Sequence, residues 1–271
     1  MALLCLQALS LVWAICTLAS ADDNNRKLGN SLYGNVYAVY AGRVSKMLCH
    51  FRVPSLPRLF NKTKHQEVFL WCGVEPGGYD VGVLQPVLMY GPDCNSKNGV
   101  GYPSDRHYSS HPYWYFSAQY VFPKYKTKKC CHCETGKVFK ASPGDFLISV
   151  MDFDRENSMW MISMKNAATG DLSVLKVFHP YMNKSLHWKD FSYHYLSFVD
   201  VETYEISNIS EEMPRDSQWY VVVKMYDDRG KIIHLTSKDW KYHVKPHKEP
   251  VVHCTADTCV FNLQSANVSS V

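Results

Sequence analysis

The chain has 271 residues, 46% hydrophobic and 14% aromatic, and a formal net charge of +4. So small a charge on this length argues against a nucleic-acid-binding protein, and the chain is long enough to bury a substantial core without relying on disulfides. At the N-terminus, residues 3–18 form an apolar run broken only by Gln7, Ser10 and Thr17, followed by Ala19-Ser20-Ala21 and then Asp22-Asp23. Small residues before a polar start match a signal-peptidase site. No lysine or arginine precedes the run, and an uncleaved anchor is the alternative, but the run falls short of a span of about 20 residues. The expectation is a leader over residues 1–21 and a secreted, extracellular mature chain over residues 22–271, with no membrane contact once the leader is removed.

Removing the leader takes Cys5 and Cys16 with it. Cys49, Cys72, Cys94, Cys130, Cys131, Cys133, Cys254 and Cys259 remain. An even number in a secreted chain favours disulfides, and Cys254 with Cys259 can close a small loop, although the wider connectivity is open. The Cys130-Cys131-His132-Cys133 cluster lacks metal-ligand spacing and a second paired motif, so no metal and no cofactor are expected. Four Asn-x-Ser/Thr sequons, at Asn61, Asn183, Asn208 and Asn267, predict glycosylated surface loops. The basic stretch over residues 124–129 lies beside the clustered cysteines and reads as a solvated loop rather than a nucleic-acid contact.

Short apolar and aromatic runs recur along the chain between Gly, Pro, Asn and Asp, and no long segment has helical period. Strands are predicted over residues 33–40 and 43–53, the second ended by Pro54 and Pro57. Residues 68–74 and 81–90 flank Pro76-Gly77-Gly78, a hairpin signal, and Gln85 stands as a lone amide in the second limb. Further strands are expected at 113–122, 137–141, 146–153, 159–165, 172–178 and 199–206. Residues 218–226 and 231–235 flank Asp227-Asp228-Arg229-Gly230, a second hairpin signal. With no linker or repeat dividing the chain, the expected fold class is all-β: one domain, a two-sheet antiparallel β-sandwich with disulfide-rich loops.

The order of several phrases resembles the eqolisins, glutamic peptidases built on a concanavalin A-like sandwich. The phrases are Phe51-Arg52-Val53-Pro54, then Trp71-Cys72-Gly73-Val74 and Val83-Leu84-Gln85. Next come Gln119-Tyr120-Val121-Phe122-Pro123 and Pro143-Gly144-Asp145-Phe146-Leu147-Ile148. Trp160-Met161-Ile162, Thr169-Gly170 and, most loosely, Val201-Glu202-Thr203-Tyr204 complete the series. Two positions depart from the family pattern. Tyr120 or Val121 stands where the aromatic strand of the peptidases carries a glutamate, and Pro86-Val87 follows the glutamine in place of threonine and glycine.

The resemblance implies an acid endopeptidase in which Gln85 and Glu202 share one water. The carboxylate takes a proton from water and returns it to the leaving amine, while the glutamine amide donates to the oxyanion. The partner would then be a polypeptide substrate. A second expectation is a non-catalytic module that binds glycan or matrix components, with Tyr102, Tyr108, Tyr113, Trp114 and Tyr115 as candidate sugar platforms. Asp152 and Asp154 share one strand face, as glycosidase acids sometimes do, but an exposed strand end is the better account of them.

Overall fold

The computed structural model describes residues 36–40, 44–56, 67–75, 82–90, 113–121, 133–178, 195–204, 220–242 and 251–262. The expected leader, the four sequons, the Pro76-Gly77-Gly78 turn, Tyr102, Tyr108, the basic stretch, Cys94, Cys130 and Cys131 lie outside these residues.

Two antiparallel sheets pack as a sandwich. Sheet A contains β1 (Val36–Tyr40), β3 (Glu67–Glu75), β4 (Val83–Tyr90), β5 (Trp114–Val121), β6 (Cys133–Thr135), β7 (Phe139–Ala141), β11 (Tyr195–Tyr204) and β13 (Trp240–Tyr242). Its order is β13-β1-β11-β3-β4-β5-β6, with β7 also paired to β5. Sheet B contains β2 (Val44–Arg52), β8 (Phe146–Asp154), β9 (Met159–Asn166), β10 (Leu172–Phe178), β12 (Tyr220–Asp227), β14 (Val251–Cys254) and β15 (Cys259–Asn262). Its order is β10-β9-β8-β2-β12-β15-β14.

Alternation along each strand builds the core between the sheets. From sheet A, Val68, Leu70, Cys72 and Val74 turn inward beside Trp114, Phe116, Ala118 and Tyr120. From sheet B they meet Met47, Phe51, Leu147, Trp160, Ile162 and Phe261. Each large apolar side chain fully removed from water contributes about 1.5–3 kcal/mol, so this layer dominates the favourable side of folding. The Cys49–Cys72 disulfide crosses the core from β2 to β3 and ties one sheet to the other.

The seam between β5 and β10 completes the sandwich. β5 pairs with β6 over residues 119–121 and with β7 over residues 114–116, leaving a gap between them. There the Ala118 amide donates to Ser173 Oγ of β10 at 3.0 Å, and its carbonyl accepts from the Gly136 amide at 2.8 Å. A Cβ at position 136 would stand 2.6 Å from the Val174 carbonyl oxygen, so only glycine lets this chain approach β10 so closely.

Most expected strands stand where the runs placed them, with β11 beginning four residues earlier than its run. The second hairpin differs. Asp227 Oδ1 accepts from the Arg229 and Lys231 amides, both at 2.8 Å, and makes the turn. Beyond it, however, residues 231–235 pair only through an isolated bridge from Ile232 to Tyr226. The strands near the C-terminus were not expected. β14 and β15 form a hairpin closed by Cys254–Cys259, while β13 joins the edge of sheet A beside β1.

Candidate functional site

The outward face of sheet A carries the residues that chemistry needs. Alternation places Phe69, Trp71 and Gly73 of β3 on it, with Val83, Gln85, Val87 and Met89 of β4 and Tyr115, Ser117, Gln119 and Val121 of β5. Trp71, Val87, Met89 and Tyr115 form an apolar cluster of their own, packed with Phe69, Val83 and Val138. Polar groups gather in the middle of this bed.

Gln85 of β4 lies directly beside Gln119 of β5. Gln119 is buried at 2% exposure, and its amide nitrogen donates to Ser117 Oγ at 3.0 Å and meets Met89 Sδ at 3.7 Å. Gln85 is half-buried, and no hydrogen bond joins its amide to any of the described residues. A carboxamide has two donors and one acceptor oxygen, and leaving such a group dry and unpaired costs about 1–3 kcal/mol. The Gln85 amide is therefore suited to take its bonds from water or a ligand.

The backbone around Gln85 is locally open. Pro86 has no N–H to give to a ladder, and β3 and β4 pair at Trp71 with Val87 and again at Val74 with Leu84, skipping the residues between. Gly73 stands opposite Gln85 in that register. The Trp71 ring lies over it, with two ring carbons 3.0 and 3.2 Å from where a Cβ would be. The indole thus floors the space next to the amide.

Register also places Glu202. It pairs with Phe69, which pairs with Met89, so position 202 is in the same alternation as Gln85 but in the row of Met89, four residues along. The residue in the row of Gln85 itself is Phe198, which pairs with Gly73. At about 4.8 Å per strand and 3.4 Å per residue, roughly 17 Å separates the Gln85 and Glu202 Cα positions on an untwisted sheet. Asp200, paired with Trp71, occupies the intervening row.

The departures noted in the sequence take a different form here. Tyr120 is fully buried in the core, where burial and the nearby Glu134 carboxylate raise its phenol well above the usual range. The residue beside Gln85 is Gln119, one position before Tyr120, where the resemblance set the glutamate's place. Strict alternation in β5 was the available signal, since Tyr115, Ser117, Gln119 and Val121 share one side. Burial also raises the carboxyl of Glu134, but this residue pairs with Tyr120 and belongs to the inward alternation.

The other candidates have structural roles. Asp152 bonds Lys46 Nζ at 3.1 Å on sheet B. Asp154 accepts from the Asn157 side chain and from the Glu156 and Asn157 amides; these bonds, the Asn157 side chain foremost, hold its carboxyl below the usual range. Neither carboxylate reaches the Gln85 face, which belongs to the other sheet. Of the proposed sugar platforms, Trp114 is in the core and Tyr115 is 7% exposed, while exposed Tyr113 lies under the Lys140 ammonium at 4.4 Å. No cluster of three or more metal-ligating side chains occurs among the described residues.

No protein-family model and no curated protein sequence matches the chain. Among solved structures, it is similar to Scytalido-glutamic peptidase bound to a peptide-based transition state analog, at 13% identity and TM-score 0.48, covering 85% of this chain and 98% of that one. It is also similar to SCP-B, a member of the eqolisin family of peptidases in complex with the tripeptide Ala-Ile-His, at 13% identity and TM-score 0.46, covering 87% and 98%. A fainter likeness, at 8% identity and TM-score 0.26, is to peanut lectin with a 9-residue peptide, covering 68% and 90%. The second is described as an eqolisin, the family that the sequence phrases resemble, and the first as a glutamic peptidase.

Proposed function

We propose that this is a secreted protein whose Gln85 face binds an extended polypeptide. The observation that carries the reading is the half-buried Gln85 amide, which has no hydrogen-bond partner among the described residues and stands in an otherwise apolar and aromatic bed. A peptide backbone offers a donor and an acceptor at every residue, and a carboxamide answers both. Sugar recognition fits less well, because Trp71 and Tyr115 of this face are buried, Phe69 is half-buried and the exposed Tyr113 ring lies under the Lys140 ammonium.

A second reading, acid endopeptidase activity, is favoured by the shared alternation of Gln85 and Glu202. In it the Glu202 carboxylate takes a proton from water, the water oxygen attacks the scissile carbonyl, and the Gln85 amide donates to the oxyanion. The protonated carboxyl then gives its proton to the leaving amine. The four-residue offset, with Phe198 rather than Glu202 in the row of Gln85, weighs against it and places binding first.

One experiment separates the two. Secreted protein is incubated with a denatured protein substrate from acid to neutral pH, and both retention and cleavage are measured. Binding that weakens about tenfold in Gln85→Ala, with no cleavage, is the expected result; that loss corresponds to about one charge-neutral hydrogen bond. Cleavage at acid pH that disappears in Glu202→Gln while the fold persists establishes the second reading. Response to a glycan array without any retention of polypeptide overturns both.

A further inference from the structure

The hairpin at one rim of sheet B holds a disulfide whose two sulfurs stand in different surroundings. Cys254 of β14 and Cys259 of β15 are direct partners in the register, so both belong to the inward alternation with Val252 and Phe261. β15 is flanked by β14 and β12, but β14 is the last strand of the sheet among the described residues. Cys259 is accordingly 4% exposed, whereas Cys254 is half-buried and borders the exposed Thr255, Ala256 and Asp257 of the turn. A molecule arriving from solvent meets Cys254 first.

Cys259 is the sulfur with partners. The Trp240 indole nitrogen donates to its Sγ at 3.3 Å, and the indole is itself held by edge-on contact with the Phe261 ring. The Leu235 carbonyl oxygen stands 3.7 Å from the same sulfur. A disulfide sulfur carries no hydrogen, so the carbonyl contributes little to the closed bond. Once the bond opens, both groups have a role. The indole N–H stabilises a Cys259 thiolate, and the carbonyl accepts from the thiol form. A stabilised thiolate is the better leaving group in thiol–disulfide exchange. Cys254 is thus the sulfur open to attack, and Cys259 the sulfur prepared to leave.

We propose that Cys254–Cys259 is a thiol-exchange site, at which the thiolate of a small thiol attacks Cys254 Sγ and displaces Cys259. A bond forms between the incoming sulfur and Cys254, the Cys254–Cys259 bond breaks, and its electron pair leaves on Cys259, which takes a proton from water. A second thiolate then attacks the added sulfur, releases Cys254 and departs as a disulfide of the two small thiols. Two electrons pass in this way from the thiols to the protein. The bond spans only 5 positions, and the backbone pairing of β14 with β15 persists without it, so exchange takes place in the folded chain. Cys49–Cys72 is the contrast. Both of its cysteines are fully buried between the sheets, and a thiol reaches them only through unfolding. The site stands at the rim of sheet B and does not rest on what the Gln85 face binds.

The test treats the purified full chain with reduced glutathione, quenches samples with acid and maps the cysteines by peptide mass spectrometry. Cys254–Cys259 should open while Cys49–Cys72 stays closed and the circular dichroism spectrum is unchanged, and the glutathione adduct should be found on Cys254. Trp240→Phe keeps a ring against Phe261 and removes the donor. It should slow the opening about fivefold, less than the full worth of a hydrogen bond to a charged group, because the charge on Cys259 is only partly developed in the transition state. An adduct on Cys259 overturns the proposal, as does a Cys254–Cys259 bond that opens only under denaturant or together with Cys49–Cys72. A folded Trp240→Phe protein that opens as fast as the wild type also overturns it, by removing the reason for Cys259 to leave. If that variant fails to fold, the position of the adduct on the wild-type chain decides.

Discussion

A Cβ at position 73 would stand 2.9 Å from the Leu84 carbonyl oxygen and 3.0 Å from the Trp71 ring. The nearest obstacle is backbone, which cannot swing aside, so Gly73→Ala should cost about 1–3 kcal/mol in urea unfolding. It should also displace the indole beside Gln85 and change the tryptophan emission. A wild-type unfolding curve for this variant would mean that the strands part more easily than their packing indicates. Asp227 offers a test through pH. Its carboxylate accepts backbone amides, that of Lys231 foremost and then that of Arg229, and these bonds hold its carboxyl below the usual range. A depressed carboxyl contributes stability that is present above its unfolded value and lost as pH falls through the folded one. Asp227→Asn keeps an acceptor oxygen but no charge. Its melting temperature should sit below that of the wild type by a constant gap above about pH 5, and the gap should close on acidification. A gap that widens in acid would contradict this.

Among the elements, the two observed disulfides do different work. Cys49–Cys72 spans 23 positions and joins β2 of one sheet to β3 of the other, whereas Cys254–Cys259 spans 5 and closes one hairpin. Loop-closure entropy assigns about 3 kcal/mol to the first and about 2 kcal/mol to the second. Replacing both cysteines of each pair by alanine and measuring urea unfolding should reproduce that order. A larger loss for the hairpin would show that it anchors more than its own turn, through Trp240, whose indole nitrogen donates to Cys259 Sγ at 3.3 Å and whose ring packs edge-on against Phe261. The segment after β12 shows where periodicity misleads. Residues 231–235 are apolar enough to read as a strand, yet Ile233 serves the core through one backbone bond to Met225, and the chain leaves the sheet.

For the whole molecule, two antiparallel sheets and one short 3-10 turn, Ser237–Asp239, make up the regular structure of the described residues. Far-ultraviolet circular dichroism of the purified protein should therefore have a β-type spectrum, and a helix-dominated one would refute the architecture. The sandwich also separates two surfaces. Sheet A turns outward a largely buried apolar bed with amides at its centre, while sheet B turns outward exposed apolar groups among charges of both signs. Because the sheets share one core, a variant that unfolds the protein alters both surfaces; one that leaves the melting curve unchanged reports on one alone.

Period-two alternation and turn residues were enough to reveal the all-β class, most strand positions and the lone amide at Gln85, since these depend on neighbours within a few residues. The small loop between Cys254 and Cys259 was legible for the same reason. The sequence did not reveal that Gln119 stands beside Gln85, that Phe198 rather than Glu202 shares its row, or that Cys49 reaches Cys72 across the core. Each of these depends on strand order and register, and a strand accepts many partners until the others are in place. The short strands β6, β13, β14 and β15 were hidden as well, for three or four residues carry too little alternation to be seen. Pro86 shows the two levels in conflict. A proline argues against a central strand, yet β4 lies between β3 and β5, and the sheet accommodates it by leaving the ladder open beside Gln85. Local chemistry thus determined which residues form strands, and only tertiary pairing decided which side chains meet.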